Sequence, residues 1–105
     1  MMKKIISNAL SVNMLPPMEV GEEMNLKIER IEEPSAEEKS AMHSCVGHPD
    51  TAAIMGVPAN RESVTIDCDT ELVVGQYIGP RLEPGTTELP QGARIDYFKV
   101  TITTE

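Results

Sequence analysis

The sequence predicts one α/β (α+β) domain over residues 1–105, with a central mixed sheet of about five strands flanked by short helices. Three observations predict it. A chain of 105 residues, 40% of them hydrophobic, supplies a single core. Apolar stretches of strand length recur along it, bounded by Pro, Gly, Asn and Asp. Between them stand two short segments with helix-start chemistry.

Lys3 to Ser7 reads as a first strand ending at the polar pair Ser7-Asn8. From Asn8 to Leu15 apolar residues interleave with small polar ones, and Pro16-Pro17 stops whatever precedes it. Leu26, Ile28 and Arg30 alternate with Lys27, Glu29 and Ile31, the pattern of a second strand. Pro34 to Lys39 carries a helix start: Ser35 suits the N-cap, and Glu38 completes a capping box. That acidic helix is expected to be solvated. Ala41 to Val46 is read as extended, leading to Gly47.

Gly47 to Gly56 reads as a loop entering a helix. Pro49 suits the first turn, where its missing N–H costs nothing, and Gly56 is a fitting stop. Pro58-Ala59-Asn60 is a turn. Glu62 to Cys68, with Val64 and Ile66 on one face, and Glu71 to Ile78 are read as two strands of a hairpin through Asp67-Cys68-Asp69-Thr70. Gly79 to Gly85 is a loop and Leu89 to Gly92 another turn. Arg94 to Thr103 carries apolar residues on both faces, which predicts a central strand covered on both sides.

Seventeen Asp and Glu against nine Lys and Arg leave a formal charge of −8. So acidic a chain repels a phosphate polymer, so long nucleic acid and anionic membrane surfaces are not expected partners. A small phosphate ligand stays open, because one or two placed arginines and some backbone N–H groups suffice for it. The aromatics are only Tyr77, Tyr97 and Phe98, so the core falls to aliphatic residues and the seven Met. Dimerisation would help a domain of this size. Met1 to Ile6 is too short for a signal peptide, and no apolar run approaches a membrane span. The expected location is therefore cytoplasmic, with Cys45 and Cys68 as free, buried thiols.

His48 is the first candidate for chemistry. It lies where a glycine-flanked loop turns into a helix, so the N–H groups of Asp50, Thr51 and Ala52 are expected to lack partners and favour an anion. An imidazole there can protonate an alkoxide leaving group. The bland reading is a loop histidine that caps or packs locally. Arg81, in a Gly-Pro-rich loop after a long apolar strand, is either a bidentate phosphate grip or a solvated side chain. Arg61 has the same two readings. Glu83 suits a ribose hydroxyl or a histidine, or is a surface carboxylate. Asn8, Ser11 and Asn13 suit a base or ribose, or are turn and cap residues. His43, Cys45, His48 and Asp50 lie within one short stretch, but zinc draws ligands from two separated segments and no second cluster exists. No metal is expected.

Five segments, in order, carry a family resemblance. Ser7-Asn8-Ala9-Leu10-Ser11-Val12-Asn13-Met14-Leu15 closely resembles the opening of the viral anti-CRISPR ring nucleases, which reads like "NAFSINML". Gly47-His48-Pro49-Asp50-Thr51 resembles that family's "GHDST", Asn60-Arg61 its "NRV", and Arg81-Leu82-Glu83-Pro84-Gly85 its "RLEEG". Ile95-Asp96-Tyr97-Phe98-Lys99-Val100 is similar to its terminal strand.

The resemblance implies a homodimer that binds cyclic tetra-adenylate across its interface. It implies cleavage without metal or other cofactor, by attack of a ribose 2′-OH on the neighbouring phosphate. The products are linear di-adenylates with cyclic phosphate ends, and type III CRISPR signalling is silenced. By position, His48 matches the catalytic histidine that protonates the departing 5′ oxygen, and Arg81 the arginine that holds the scissile phosphate. Asn8, Ser11 and Asn13 match polar pocket positions, Arg61 a second basic one, and Leu10 and Gly47 fall in matched segments as expected substrate contacts. The chain departs from the family in three places, one of them the entry to the early helix. Pro84 stands where the family has a carboxylate, so the acidic role falls to Glu83, to Glu88, or to none. The segment after Gly85 is also shorter than in archaeal-virus members. These departures point to a bacterial or bacteriophage branch, acting in the host cytoplasm. The alternative is a protein that sequesters or senses the cyclic nucleotide without cutting it, and a third reading is a structural dimer with no nucleotide ligand.

Overall fold

A computed structural model describes residues 2–103. Strands β1 (Lys3–Ser7), β2 (Asn25–Ile31), β3 (His43–Ser44), β4 (Thr70–Ile78) and β5 (Arg94–Thr103) form one mixed sheet in the order β2-β5-β4-β1-β3. β1 runs parallel to β3 and β4, while β5 runs antiparallel to β4 and β2. The ends of β1, β2, β3 and β4 and the start of β5 therefore share one edge of the sheet, here called its upper end. β5 is interior as expected, with Tyr97 buried on one face and Val100 on the other, but β4 takes the centre.

Helix α1 (Ala36–Ser40) opens with the expected capping box. Glu38 N–H donates to Ser35 Oγ at 3.1 Å and Ser35 N–H donates to the Glu38 carboxylate at 2.9 Å. The helix is solvated except at Lys39, which is buried, donates to Glu33 at 2.7 Å and lies 5.3 Å from the Tyr97 ring centre. Helix α2 (Pro49–Met55) starts at its proline and stops at Gly56, whose φ of 74° is left-handed.

α2 covers the upper part of the first face of the sheet. Its Ala52 and Met55 pack with Ile6, Val46, Val57, Val73 and Tyr97. Gly75 of β4 permits the close approach: a Cβ there would stand 2.6 Å from the Met55 terminal carbon. On the second face Ile5, Leu72 and Val100 lie under Ile66, with Val64, Met14 and Leu15 alongside.

That second cover corrects the sequence reading. Residues 62–68 form no strand, and the expected 62–68/71–78 hairpin does not exist. The alternation of Val64 and Ile66 reports extended chain with one buried side, but it does not show whether the backbone finds a ladder. Here the segment crosses the sheet face, and Ile66 N–H donates to Met14 C=O at 2.7 Å. The turn at Asp67–Thr70 forms, closed by Thr70 N–H on Asp67 C=O at 3.1 Å, and leads into β4. The fifth strand is instead the short β3, within the stretch read as extended. A second correction concerns the thiols. Both are free, but Cys68 is exposed and Cys45 only half-buried. Cys68 lies in the turn, where nothing covers it.

Candidate functional site

The upper end of the sheet collects the carboxyl ends of the parallel strands, the usual place for a ligand crevice in such sheets. β3 is held beside β1 by Cys45 N–H on Ile6 C=O at 2.8 Å, and Asn60 N–H holds Val46 C=O at 2.8 Å. The chain then turns through Gly47 into α2, with His48 as its N-cap.

His48 Nδ1 accepts from Asp50 N–H at 3.2 Å, and its carbonyl accepts from Ala52 N–H at 2.9 Å. Two of the three N–H groups expected to face a ligand are therefore already bonded within the first turn, so the array of three free donors is not present. The same bond orients the ring. With Nδ1 accepting, the proton of the neutral imidazole sits on Nε2.

Two cavities flank this histidine. One, of about 310 Å³, is shared by His48, Asp50 and Thr51 of α2 with Leu82, Glu83 and Pro84 of the loop after β4. The other, of about 380 Å³, is lined by Cys45, Gly47, His48, Arg61 and Glu62. The loop is fastened to the helix by Gly85 N–H donating to Asp50 Oδ2 at 2.8 Å. Gly85 has φ of 87°, a conformation other residues adopt at a cost.

The expected residues divide. Glu83 lies in the cavity beside His48, whereas Glu88 is exposed and outside it. Arg61 donates from Nε to Gly47 C=O at 3.3 Å and so borders the histidine on its other side. Arg81 is exposed at the root of the loop and lines neither cavity, so the fold brings its loop to His48 but not its guanidinium. Asn8 lines a cavity of about 150 Å³ with Thr51, Tyr77 and Leu82, and also a trough of about 410 Å³ with Leu10. Ser11 caps the 3-10 turn Val12–Met14, its hydroxyl accepting from Asn13 N–H at 3.2 Å. Ser11 and Asn13 line none of these spaces.

The side chains of Thr51, Leu82 and Tyr77 were not singled out from the sequence, which gave Thr51 only a backbone donor. Thr51 had a usable signal, since it stands three residues after His48 and so on the same side of the helix. Tyr77, whose hydroxyl donates to Pro80 C=O at 2.6 Å, had none. His43 lies apart, 3.2 Å from Glu62 and 3.4 Å from Asn60. Burial, and then the Glu62 charge, push the Cys45 thiol up from its ordinary pKa. Among the described residues no group of three or more His, Cys, Asp and Glu converges as metal ligands, and no helix is long and apolar enough to cross a membrane.

No family model matches this chain, and no curated protein matches it. Among solved structures it is similar to B116 of Sulfolobus turreted icosahedral virus, at a TM-score of 0.67 and 23% identity, covering 94% of this chain and 98% of that one. The likeness spans both chains nearly end to end, and what the two share is the fold.

Proposed function

We propose that this protein is a metal-independent ring nuclease that cleaves cyclic tetra-adenylate and so antagonises type III CRISPR signalling. The observation that carries the reading is the cavity in which His48 meets Glu83 from a loop more than thirty residues away in sequence, with Asp50 fastening the two together. The ordered resemblance of five segments to the ring nucleases supports it, and the viral source of B116 accords with it.

In this reading the ribose 2′-OH, accepted by Glu83, gives up its proton there as its oxygen bonds to phosphorus. The bond from phosphorus to the 5′ oxygen breaks, and that oxygen takes the Nε2 proton of a protonated His48, which is left as neutral imidazole; taking up this extra proton on Nδ1 releases the ring from Asp50 N–H. Arg81 swings inward on its exposed stem to hold the phosphate charge, and Arg61 supplies a cation on the other flank. The nucleophile belongs to the substrate, so catalysis is mostly positioning. Asn8 and Leu10 meet the base or sugar, with Gly47 beside the phosphate and Ser11 and Asn13 at the rim. A cavity of about 310 Å³ is at the small end of ligand sites, so a four-nucleotide ring needs two such cavities side by side. A homodimer supplies them.

A second reading has its own observation. Arg81 stands outside the cavity, so no guanidinium meets the charge that develops on a phosphate being cut, which favours a protein that binds the ring without cleaving it. One experiment separates the two. Cyclic tri-, tetra- and hexa-adenylate are incubated with the protein in EDTA and the products are resolved by mass. Cleavage of the tetramer, lost by about 100-fold or more in His48→Ala with binding kept, is the expected result. An intact tetramer at stoichiometric protein sinks the nuclease and leaves the binding protein.

A further inference from the structure

We infer that Arg30 and Arg94, held together by Asp96 at the upper end of β2 and β5, form a second site, one that binds the phosphate group of a small ligand. Asp96 is only 7% exposed, and a carboxylate so deeply placed needs a cation. It has two. Arg94 donates to it from Nε at 2.9 Å and from Nη2 at 3.5 Å, which already makes a two-pronged pair. Arg30 Nη2 adds a further bond at 3.0 Å, to the same oxygen that Arg94 Nε holds. The cluster therefore carries one guanidinium more than the carboxylate requires. Both arginine side chains are 62% exposed, and Asp96 engages neither Nη1 nor the Nε of Arg30. Because Asp96 fixes both forks in advance, little side-chain freedom is left to lose when an anion binds.

The placement of the basic residues points the same way. All four arginines of the chain, Arg30, Arg61, Arg81 and Arg94, stand at the upper end of the sheet, whereas Lys3, Lys4, Lys27 and Lys99 lie along its lower half. The planar fork of arginine matches a phosphate as the point charge of lysine does not. In a chain of charge −8, forks gathered at one end do not serve general neutralisation. Arg61 borders His48 and Arg81 belongs to the loop beside it, so both are absorbed by the cleavage proposed above. Arg30 and Arg94 are not. Their strands lie on the far side of β4 from β1 and β3, which makes the pair separate from the His48 cavity.

The surroundings bound the ligand. Glu32 and Glu33 line a cavity of about 460 Å³ beside Arg30 and Asp96. Lys39 holds Glu33 at 2.7 Å, while Glu32 keeps the positive excess small, so one compact oxyanion fits and a polyanion does not. By strand register Gln76 stands across from Asp96, and Phe98 follows Asp96 on the same face; both line the apolar trough. An organic group esterified to the phosphate has that amide and that ring to lie against.

Titration of the purified chain with inorganic phosphate tests this, followed by NMR at constant pH and ionic strength with chloride as the balancing anion. The backbone amides and side-chain Nε–H signals of Arg30 and Arg94 are expected to shift and to saturate. Arg30→Gln is expected to weaken that binding about 10-fold or more, while Lys27→Gln, which removes an exposed lysine of the lower half, leaves it unchanged. Shifts that never saturate, shifts confined to His48 and Arg61, or a folded Arg30→Gln that binds as well as the parent overturn the inference. Should Arg30→Gln fail to fold, the location of the shifts in the parent decides, together with Arg30→Lys, which keeps the charge and loses the fork and is expected to bind more weakly. Adenosine monophosphate forms the second arm. Tighter binding than inorganic phosphate, with shifts reaching Phe98 and Gln76, identifies a phosphate ester as the ligand; equal binding without them identifies the free anion. Phosphate binding at the arginine pair in a protein that leaves cyclic tetra-adenylate intact refutes the nuclease alone. Cleavage of the ring by a protein whose Arg30 and Arg94 never respond to phosphate refutes this site alone.

Discussion

One face of the sheet is covered by a helix, the other by a stretch of chain with no ladder of its own. On the first, α2 brings Ala52 and Met55 down on Val73 and Tyr97, and Gly75 makes room for the Met55 tip. On the second, Ile66 reaches into a cluster with Ile5, Leu72 and Val100 while its backbone is tied to Met14. Both covers bury apolar side chains almost completely. They differ in reach. A helix of seven residues, about 10 Å long, starts at the upper end at His48 and covers only the adjoining part of the first face, so that end becomes a site. An extended segment crosses the second face once and leaves the upper half open, so that face becomes a surface.

The largest expected effects ask whether the two covers are equal as core. Met55 is 1% exposed and Ile66 0%. Replacing either with Ala removes buried carbon and leaves a cavity, a loss of about 2–5 kcal/mol in each case. Urea unfolding of Met55→Ala and Ile66→Ala is expected to give losses in that same range. If Ile66→Ala costs less than about 1 kcal/mol, the irregular cover collapses around the gap, and the comparison of two cores fails. If both are severe, the absence of a ladder is no mark of weakness.

A smaller effect concerns the loop fastened to the helical side. Asp50→Ala removes the acceptor of Gly85 N–H, an exposed bond worth about 0.5–1.5 kcal/mol at most. Its stability cost is expected near the low end of that range. Hydrogen exchange at Gly85 is expected to speed up while exchange at Val73 and Val100 stays unchanged. Faster exchange on both faces would mean that the clasp supports the whole sheet and not just the site.

The helical face was the more legible of the two, for a physical reason. Capping boxes, a first-turn proline and a terminal glycine are local chemistry, and Ser35, Glu38, Pro49 and Gly56 do what their positions predict. The strands were legible from their apolar periods. The hairpin at 62–78 was misread because alternation records burial, and burial against a sheet face looks the same as burial within a sheet. At the site, His48 and Glu83 were legible as residue types in loops, and the fold brings them to one cavity. Thr51, Leu82 and Tyr77 became visible only when α2 and β4 were set side by side. The donors at Asp50 and Ala52 were misjudged because the fold adopts the other reading of His48, the histidine that caps its own helix, and its carbonyl takes the first intrahelical bond.

The smallest effect lies at the joint where the irregular cover becomes β4. The Thr70 hydroxyl, donating to Asp67 Oδ1 at 2.8 Å, and the Asp69 N–H at 2.9 Å hold the Asp67 carboxyl below its ordinary pKa. A carboxylate lowered in the folded state adds stability above its unfolded pKa, near 3.9, and loses it as pH falls through the folded value. Thr70→Val removes the larger cause while keeping the shape of a residue that is 1% exposed. The variant is therefore expected to melt lower than the parent at neutral pH, with the gap narrowing once pH drops below about 4. A gap that stays constant down to acid pH would show that the Thr70 hydroxyl supports the turn through the bond it accepts from Asp67 N–H at 3.3 Å. The Asp67 carboxylate would then have no part in joining the second cover to the sheet.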